Sequence, residues 1–256
     1  MIRLLLLLLL ALPMAVRAAP APVPVAAAAD LRLALPPLVR AHQRASGAVF
    51  QLSFGSSGQM VQQALNGAPF QLLLLADASH ADRLAAGVPG TERRPYALGR
   101  LALVATRASG ITDLASLKAA IRAGRIRHLA IANPAHAPYG VAARAVLTGL
   151  GVADRAPLVL GENVAQALSF VASGAAEAGL VALPLALAAS GQSTAPLARA
   201  AGGGLLVVPV PPALHPPLVQ TLVLMPGASP GARGLAAQLT GPQGRAALRA
   251  AGFGLP

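Results

Sequence analysis

Cysteine and tryptophan are both absent from this 256-residue chain, aromatic residues make up 3%, and eight acidic residues face twenty lysines and arginines. Without cysteine there can be no disulfide, no thiolate nucleophile and no cysteine-ligated zinc. Few aromatics means few platforms on which single-stranded nucleic acid could stack. The net charge of +12 would by itself suggest an anionic polymer as partner. The basic residues are scattered singly, however, apart from Arg93-Arg94 and the group Arg122, Arg125 and Arg127. A bias towards Ala, Leu, Gly, Pro and Arg is also what a G+C-rich genome produces with no functional cause. Nucleic acid is therefore not the expected partner.

The chain does contain one long apolar run, and it is at the start. Arg3 precedes seven consecutive leucines, Leu4 to Leu10, and the apolar stretch continues to Val16 with Pro13 inside it. This is short for the ~20 residues of a membrane span, and Ala18-Ala19-Pro20 supplies small residues for cleavage. Residues 1–18 are expected to be a cleaved export signal rather than an anchor. Their loss removes Arg3 and Arg17, lowering the charge from +12 to +10. The mature chain has no cysteine to carry a lipid, so it is expected to diffuse freely, without a membrane anchor, in a Gram-negative periplasm. Its length of about 238 residues suits one large domain or two lobes of about 120 residues each.

Short apolar runs alternate with helical stretches. Strands are expected at 23–28, 49–52 and 72–76, and helices at 31–44, 59–66 and 79–86. The strands are apolar throughout instead of alternating, which indicates a parallel sheet covered on both faces. Pro36 and Pro37 lie too deep for the helix at 31–44. It must kink there or restart. The run at 98–106 breaks the rhythm and is expected to cross into a second lobe. There the expected order is helix 113–122 capped by Thr112 or Asp113, strand 129–132, helix 140–150, strand 158–160, helix 164–173 and strand 178–181. Beyond Pro184 the signal is poor, with Gly202-Gly203-Gly204 and Pro211-Pro212 as loops. A return crossover is expected at 219–225, then helices at 231–239 and 242–250. The expected fold class is α/β, with two doubly wound lobes joined by crossover strands. Residues 19–97 and 219–256 form lobe I, and 98–218 form lobe II.

Three strand-to-helix junctions are rich in small polar residues. Phe54-Gly55-Ser56-Ser57-Gly58 leads into the helix at 59–66. Asn133-Pro134-Ala135-His136-Ala137-Pro138-Tyr139-Gly140 leads into the helix at 140–150, and Gly161-Glu162-Asn163-Val164 into that at 164–173. A helix start presents unpaired N–H groups and the positive end of the helix dipole, so it can seat an anion without lysine or arginine. Serine and glycine also make ordinary turns, but three such junctions together favour an anion site. His42, His80 and His128 are expected to be surface or packing residues, and of His136 and His215 only His136 lies near the proposed cleft. Gly55-x-Ser57-Gly58 lacks one residue of a nucleophile elbow. A hydrolase would need His136 and an acid assembled around Ser57.

These junctions, taken in order with several other segments, resemble the periplasmic molybdate-binding proteins of ABC transport systems, which have the type II periplasmic binding protein fold. The matching pieces begin with Val25-Ala26-Ala27-Ala28-Ala29-Asp30-Leu31 and Ser53-Phe54-Gly55-Ser56-Ser57-Gly58. Asn66-Gly67-Ala68-Pro69 follows, with Leu75-Ala76-Asp77. Asn133-Pro134 with His136, Pro138 and Gly140, and Glu162-Asn163-Val164, match further loops. Gly241-Pro242-Gln243-Gly244 with Gly252-Phe253 matches the C-terminal signature. The resemblance spans nearly the whole mature chain. It implies two lobes closing on a tetrahedral oxyanion, molybdate or tungstate, held by hydroxyls and backbone N–H groups. The anion would then pass to an ABC permease. No enzyme activity, cofactor or cation site is implied, and a monomer is expected.

Carried over by position, Ser57 offers a hydroxyl and an N–H, and Tyr139 and Val164 each offer a backbone N–H. Asp30 stands where the family usually has a serine donor, and Ala182 where many members have a tyrosine hydroxyl. A carboxylate accepts hydrogen bonds and repels a dianion. Asp30 therefore has three readings: it caps its own helix at 31–33, it is protonated in the complex, or it accepts from a hydroxyl or cationic group on a different ligand. Tyr139 is a candidate to replace the donor missing at Ala182. Besides molybdate or tungstate, the open alternatives are another small anion, a polyol-like solute, or a secreted hydrolase using Ser57.

Overall fold

The computed structural model of the chain describes residues 21–191 and 204–256. The expected export signal at 1–18 and most of the Gly202-Gly203-Gly204 loop lie outside the described residues. The strands of the first sheet are β1 (Val23–Ala28), β2 (Phe50–Gly55), β3 (Leu72–Leu75), β4 (Glu92–Gly99) and β10 (Leu218–Leu224), in the order β2-β1-β3-β10-β4. The second sheet contains β5 (Leu101–Thr106), β6 (Leu129–Ala132), β7 (Leu158–Gly161), β8 (Ala178–Ala182) and β9 (Leu205–Pro209), in the order β7-β6-β8-β5-β9. In each sheet the first three strands of the order are parallel. A strand arriving from the other sheet, β10 or β5, adds antiparallel to them. The chain crosses between sheets at Arg100, which separates β4 from β5, and returns between β9 and β10.

Residues in the central strands are buried on both faces, which is why β3, β6 and β8 read as unbroken apolar runs. Two edge strands depart from that expectation. In β2, exposed Gln51 and Ser53 alternate with half-buried Phe50, Leu52 and Phe54, so the strand runs on to Gly55 where the sequence suggested an end at Leu52. Strand β4 opens with four exposed residues, Glu92-Arg93-Arg94-Pro95, which hid it from an apolar-run reading. Charge and proline on an edge strand block pairing with other chains.

The conflict at Pro36 and Pro37 resolves as a restart. A single 3-10 turn, Ala29–Leu31, follows β1, and helix α1 (Leu35–Ser46) begins afresh with proline in its first turn. Helices α2 (Ser57–Leu65) and α3 (Ala78–Gly87) complete the first winding. In the second, Asp113 caps α4 (Leu114–Arg122), accepting from the Ser116 N–H while the Ser116 hydroxyl accepts from the Asp113 N–H. Helices α5 (Pro138–Gly149) and α6 (Val164–Ala172) follow. Helix α7 (Leu183–Ala189) escaped the sequence reading because Leu183, Leu185, Ala186 and Ala188 are all buried, leaving no polar face to mark a period. Helices α8 (Pro230–Thr240) and α9 (Pro242–Ala250) pack beside each other after β10. No helix among the described residues is long and apolar enough to cross a membrane.

One apolar cluster runs continuously from Ala26, Val61 and Leu73 of the first sheet's layer to Leu103, Ile131 and Leu180 of the second. The 3-10 turn after β1 packs against α6 and α7, so the two lobes are closed on each other. Gly140 shows how tightly the second lobe's loop is seated. A Cβ there would lie 2.2 Å from the Ala132 carbonyl oxygen and 2.7 Å from the Pro134 nitrogen, both backbone atoms. Gly149, in the same helix, has open space around it. Gly140→Ala should therefore cost at least about 2 kcal/mol of stability. Gly149→Ala should be neutral, or stabilising by up to about 1 kcal/mol. Urea unfolding midpoints test the pair, and equal midpoints for the two variants would contradict this packing.

Candidate anion site

Four chain segments leave the carboxyl ends of parallel strands and converge, with Ala76 after β3, on one small cavity. Two come from the first lobe: β1 into the 3-10 turn, and β2 through Ser56 into α2. Two come from the second: β6 through residues 133–137 into α5, and β7 through Glu162-Asn163 into α6. Asp30, Ser57, Tyr139 and Val164 sit one at each entrance, line this cavity and are buried. The structure thus brings together all four residues singled out from the sequence.

Local chemistry at the entrances satisfies several of the neighbouring N–H groups and leaves those of Asp30, Ser57, Tyr139 and Val164 among the open ones. At α6, the Asn163 carboxamide oxygen accepts from the Ala165 and Gln166 N–H groups, both at 3.1 Å, and leaves that of Val164. At α5, Asn133 O accepts from His136 and Ala137, Pro138 has no N–H, and Gly140 donates to Ala137 O. Tyr139 N–H remains. At α2, Gly58 N–H reaches across to His136 O at 2.9 Å, leaving Ser57 N–H. On the 3-10 turn, Arg32 N–H donates to Ala29 O and Asp30 N–H remains. Among the described residues no acceptor is in place for these four groups. The Ser57 hydroxyl oxygen accepts from Ala76 N–H at 2.9 Å, so its own proton is free to donate. No lysine or arginine lines the cavity.

Asp30 supplies the one ionisable carboxyl of the lining. Its Oδ2 accepts from the Tyr139 hydroxyl at 3.0 Å and from the Gln220 side-chain amide, while Tyr96 donates to Gln220 Oε1 at 2.6 Å. Its Oδ1 is buried and has no partner among the described residues. Burial pushes the Asp30 pKa from 3.8 up to about 6, against the opposing pull of Gln220 and Tyr139 and the weaker pull of the Asp30 and Leu31 backbone N–H groups, which lie outside hydrogen-bond geometry to the carboxyl. Burial and the nearby Asp30 charge hold both tyrosines above the ordinary phenol range, so Tyr139 and Tyr96 stay protonated donors.

Three expectations change here. Asp30 does not cap its own turn: no side-chain cap bond is made there, and the carboxylate turns to Tyr139 and Gln220. The Tyr139 hydroxyl is committed to Asp30, so it cannot stand in for a donor missing at Ala182. Ala182 itself is buried at the end of β8, opposite Leu101, and does not line the cavity. Sequence reasoning missed Gln220 and Tyr96. A lone glutamine inside the apolar β10 run and one of only two tyrosines in the chain were the available signals. Tyr96 is the extra residue of a β-bulge, because Gln220 pairs with Ala97 and Thr221 with Pro95.

Polar contacts bridge the mouth of the cavity. His136 Nδ1 lies 2.9 Å from the Ser56 hydroxyl, and Gln59 donates to Glu162 at 2.8 Å, each pair joining one lobe to the other. His136 therefore faces Ser56, not Ser57. Ser56 in turn donates to Gln59 Oε1 at 3.0 Å, which leaves its oxygen accepting from the imidazole.

Residues 23–254 match the family model of the bacterial extracellular solute-binding proteins. The molybdate-binding protein ModA of Azotobacter vinelandii is 36% identical over 209 residues, covering 79% of this chain and 78% of its own. That of Rhodobacter capsulatus is 36% identical over 154 residues, covering 58% of this chain and 59% of its own. Among solved structures, the periplasmic molybdate-binding protein of Azotobacter vinelandii superposes with a TM-score of 0.75 at 30% identity, over 91% of this chain and 99% of its own. The sulfate-binding protein SubI of Mycobacterium tuberculosis superposes with a TM-score of 0.68 at 15% identity, over 90% of this chain and 85% of its own, and shares the fold alone.

The position of Asp30 has a consequence for stability. Between pH 3.8 and about 6 the folded chain holds a proton that the unfolded chain has released. Raising pH through that window therefore destabilises the fold, by an amount on the order of 3 kcal/mol. In Asp30→Asn that loss should vanish. The difference in unfolding free energy between the variant and the wild type should move in the variant's favour from pH 4 to 6.5, then level off. A pH-independent difference would contradict this assignment.

Proposed function

The chain belongs to the bacterial extracellular solute-binding proteins and groups with the periplasmic molybdate-binding proteins, and from this membership we propose that it captures a tetrahedral oxyanion, molybdate or tungstate, for an ABC importer. The observation that carries the reading is the convergence of four open backbone N–H groups and the Ser57 hydroxyl on one buried cavity lacking any cationic side chain. Neutral donors suit an anion that must be both held and released. They stabilise its charge through directed hydrogen bonds and the dipoles of α2, α5 and α6, without the deep well of a buried ion pair.

Binding proceeds by closure of the lobes about the crossovers at Arg100 and between β9 and β10. Each lobe contributes two of the four N–H groups, so the full set of donors exists only when the lobes meet. The anion is held through its oxygens, and no side chain ligates its metal atom. The protein acts in the periplasm after losing residues 1–18, as a monomer without a cofactor, and the closed form is what the permease recognises. A different small anion or a polyol-like solute is the second reading, and the acceptor oxygen of Asp30 is the feature that favours it.

Calorimetry of the mature protein with molybdate, tungstate, sulfate and phosphate tests the proposal. Tight binding of the first two is expected, and no heat with any of the four would overturn it. Ser57→Ala should weaken molybdate binding at least about tenfold, roughly 1.4 kcal/mol. Ester hydrolysis by the wild type that is lost in the same variant would favour the hydrolase. Gly58→Ala tests closure separately. Its Cβ would lie 2.8 Å from His136 O and 3.0 Å from His136 Cα, across the lobe boundary. Affinity should fall at least about tenfold, because the clash opposes closure. Unaltered affinity would show that this contact does not form in the closed state.

A further inference from the structure

Building on the oxyanion reading, we propose that Asp30 takes up one proton from solvent as the anion binds, so that the bound state contains a neutral carboxylic acid at the floor of the site. Asp30 offers its backbone N–H to the same cavity that its carboxyl adjoins. A dianion held by that N–H therefore sits within a few ångströms of the carboxyl, in surroundings from which water is excluded. Two like charges so placed cannot both persist.

The hydrogen bonds around the carboxyl determine where the proton goes. Oδ2 already accepts from Tyr139 and Gln220. Oδ1 is buried with no partner among the described residues. Protonation at Oδ1 leaves both existing bonds intact and gives the orphan oxygen a hydrogen. An acceptor beside the anion thereby becomes a donor.

No compensating cation is at hand. Tyr139 on α5, Gln220 on β10 and, through Gln220, Tyr96 on β4 form the polar surroundings, and all three are neutral. Strand β2 and helices α6 and α7 pack against the turn and carry no titratable side chain. Arg32, next to the turn, is exposed and lies over the Phe54 ring at 5.5 Å. The ligand-free carboxyl ionises with a pKa of about 6. At pH 7 to 9 it is therefore charged before binding, and the proton must be drawn from solvent.

Calorimetry of molybdate binding at pH 8, in several buffers of different ionisation enthalpy, counts the protons directly. The wild type should take up close to one proton per anion, and its Kd should rise about tenfold per pH unit between pH 7 and 9. Asp30→Asn should bind molybdate with no proton uptake and with a Kd that does not change over this range. Anion binding whose heat is independent of buffer overturns the proton proposal alone. So does uptake that persists in Asp30→Asn, which would assign the proton to His136 or to the anion. Absence of any binding heat with all four oxyanions overturns the oxyanion reading, and this proposal with it.

Discussion

A backbone N–H buried without an acceptor carries a desolvation cost that folding cannot recover within its own helix. Four such groups, those of Asp30, Ser57, Tyr139 and Val164, are gathered in one buried cavity, and much of the surrounding structure serves to leave them open. Asn163 and Asn133 satisfy the adjacent donors, Pro138 removes one, and Ala76 occupies the acceptor side of the Ser57 hydroxyl. The site is thus defined as much by which neighbours are paired as by the donors themselves. An oxyanion has enough lone pairs to meet all five donors at once, which water in so small a space would do less completely.

Closure and electrostatics are coupled through Asp30. Its carboxyl, on the first lobe, accepts from Tyr139 on the second and from Gln220 on β10, the strand that returns from the second lobe. The buried network of Asp30, Tyr139, Gln220 and Tyr96 therefore lies at the junction of both lobes and a crossover. At the mouth, His136, Ser56, Gln59 and Glu162 add polar contacts that exist only when the lobes meet. Gly58 lets the two backbones approach closely enough for its N–H to reach His136 O. A single motion thus assembles the donors and forms the rim.

Much of this was legible in the sequence, for identifiable reasons. The central strands declared themselves because burial on both faces leaves an unbroken apolar run, as in Leu72–Leu75. The helix start at Val164, and to within two residues that of α2, expected at residue 59 and found at Ser57, were readable because small polar residues interrupt the apolar pattern there. What escaped was written in weaker terms. Strand β4 begins with charge because its edge meets solvent, α7 lacks a polar face because it is wholly enclosed, and β9 follows the signal-poor stretch after Pro184. The direction of the Asp30 carboxyl was not legible at all. It depends on Gln220, 190 residues away, and on a bulge that turns Tyr96 inward.

The central claim is that four named backbone amides hold the anion. Amide chemical shifts of the isotopically labelled mature protein, followed through a molybdate titration, test it most directly. The account predicts that the N–H signals of Asp30, Ser57, Tyr139 and Val164 move downfield together and saturate with one equivalent of anion. Saturable binding that leaves these four resonances in place and shifts a different set of amides would contradict it.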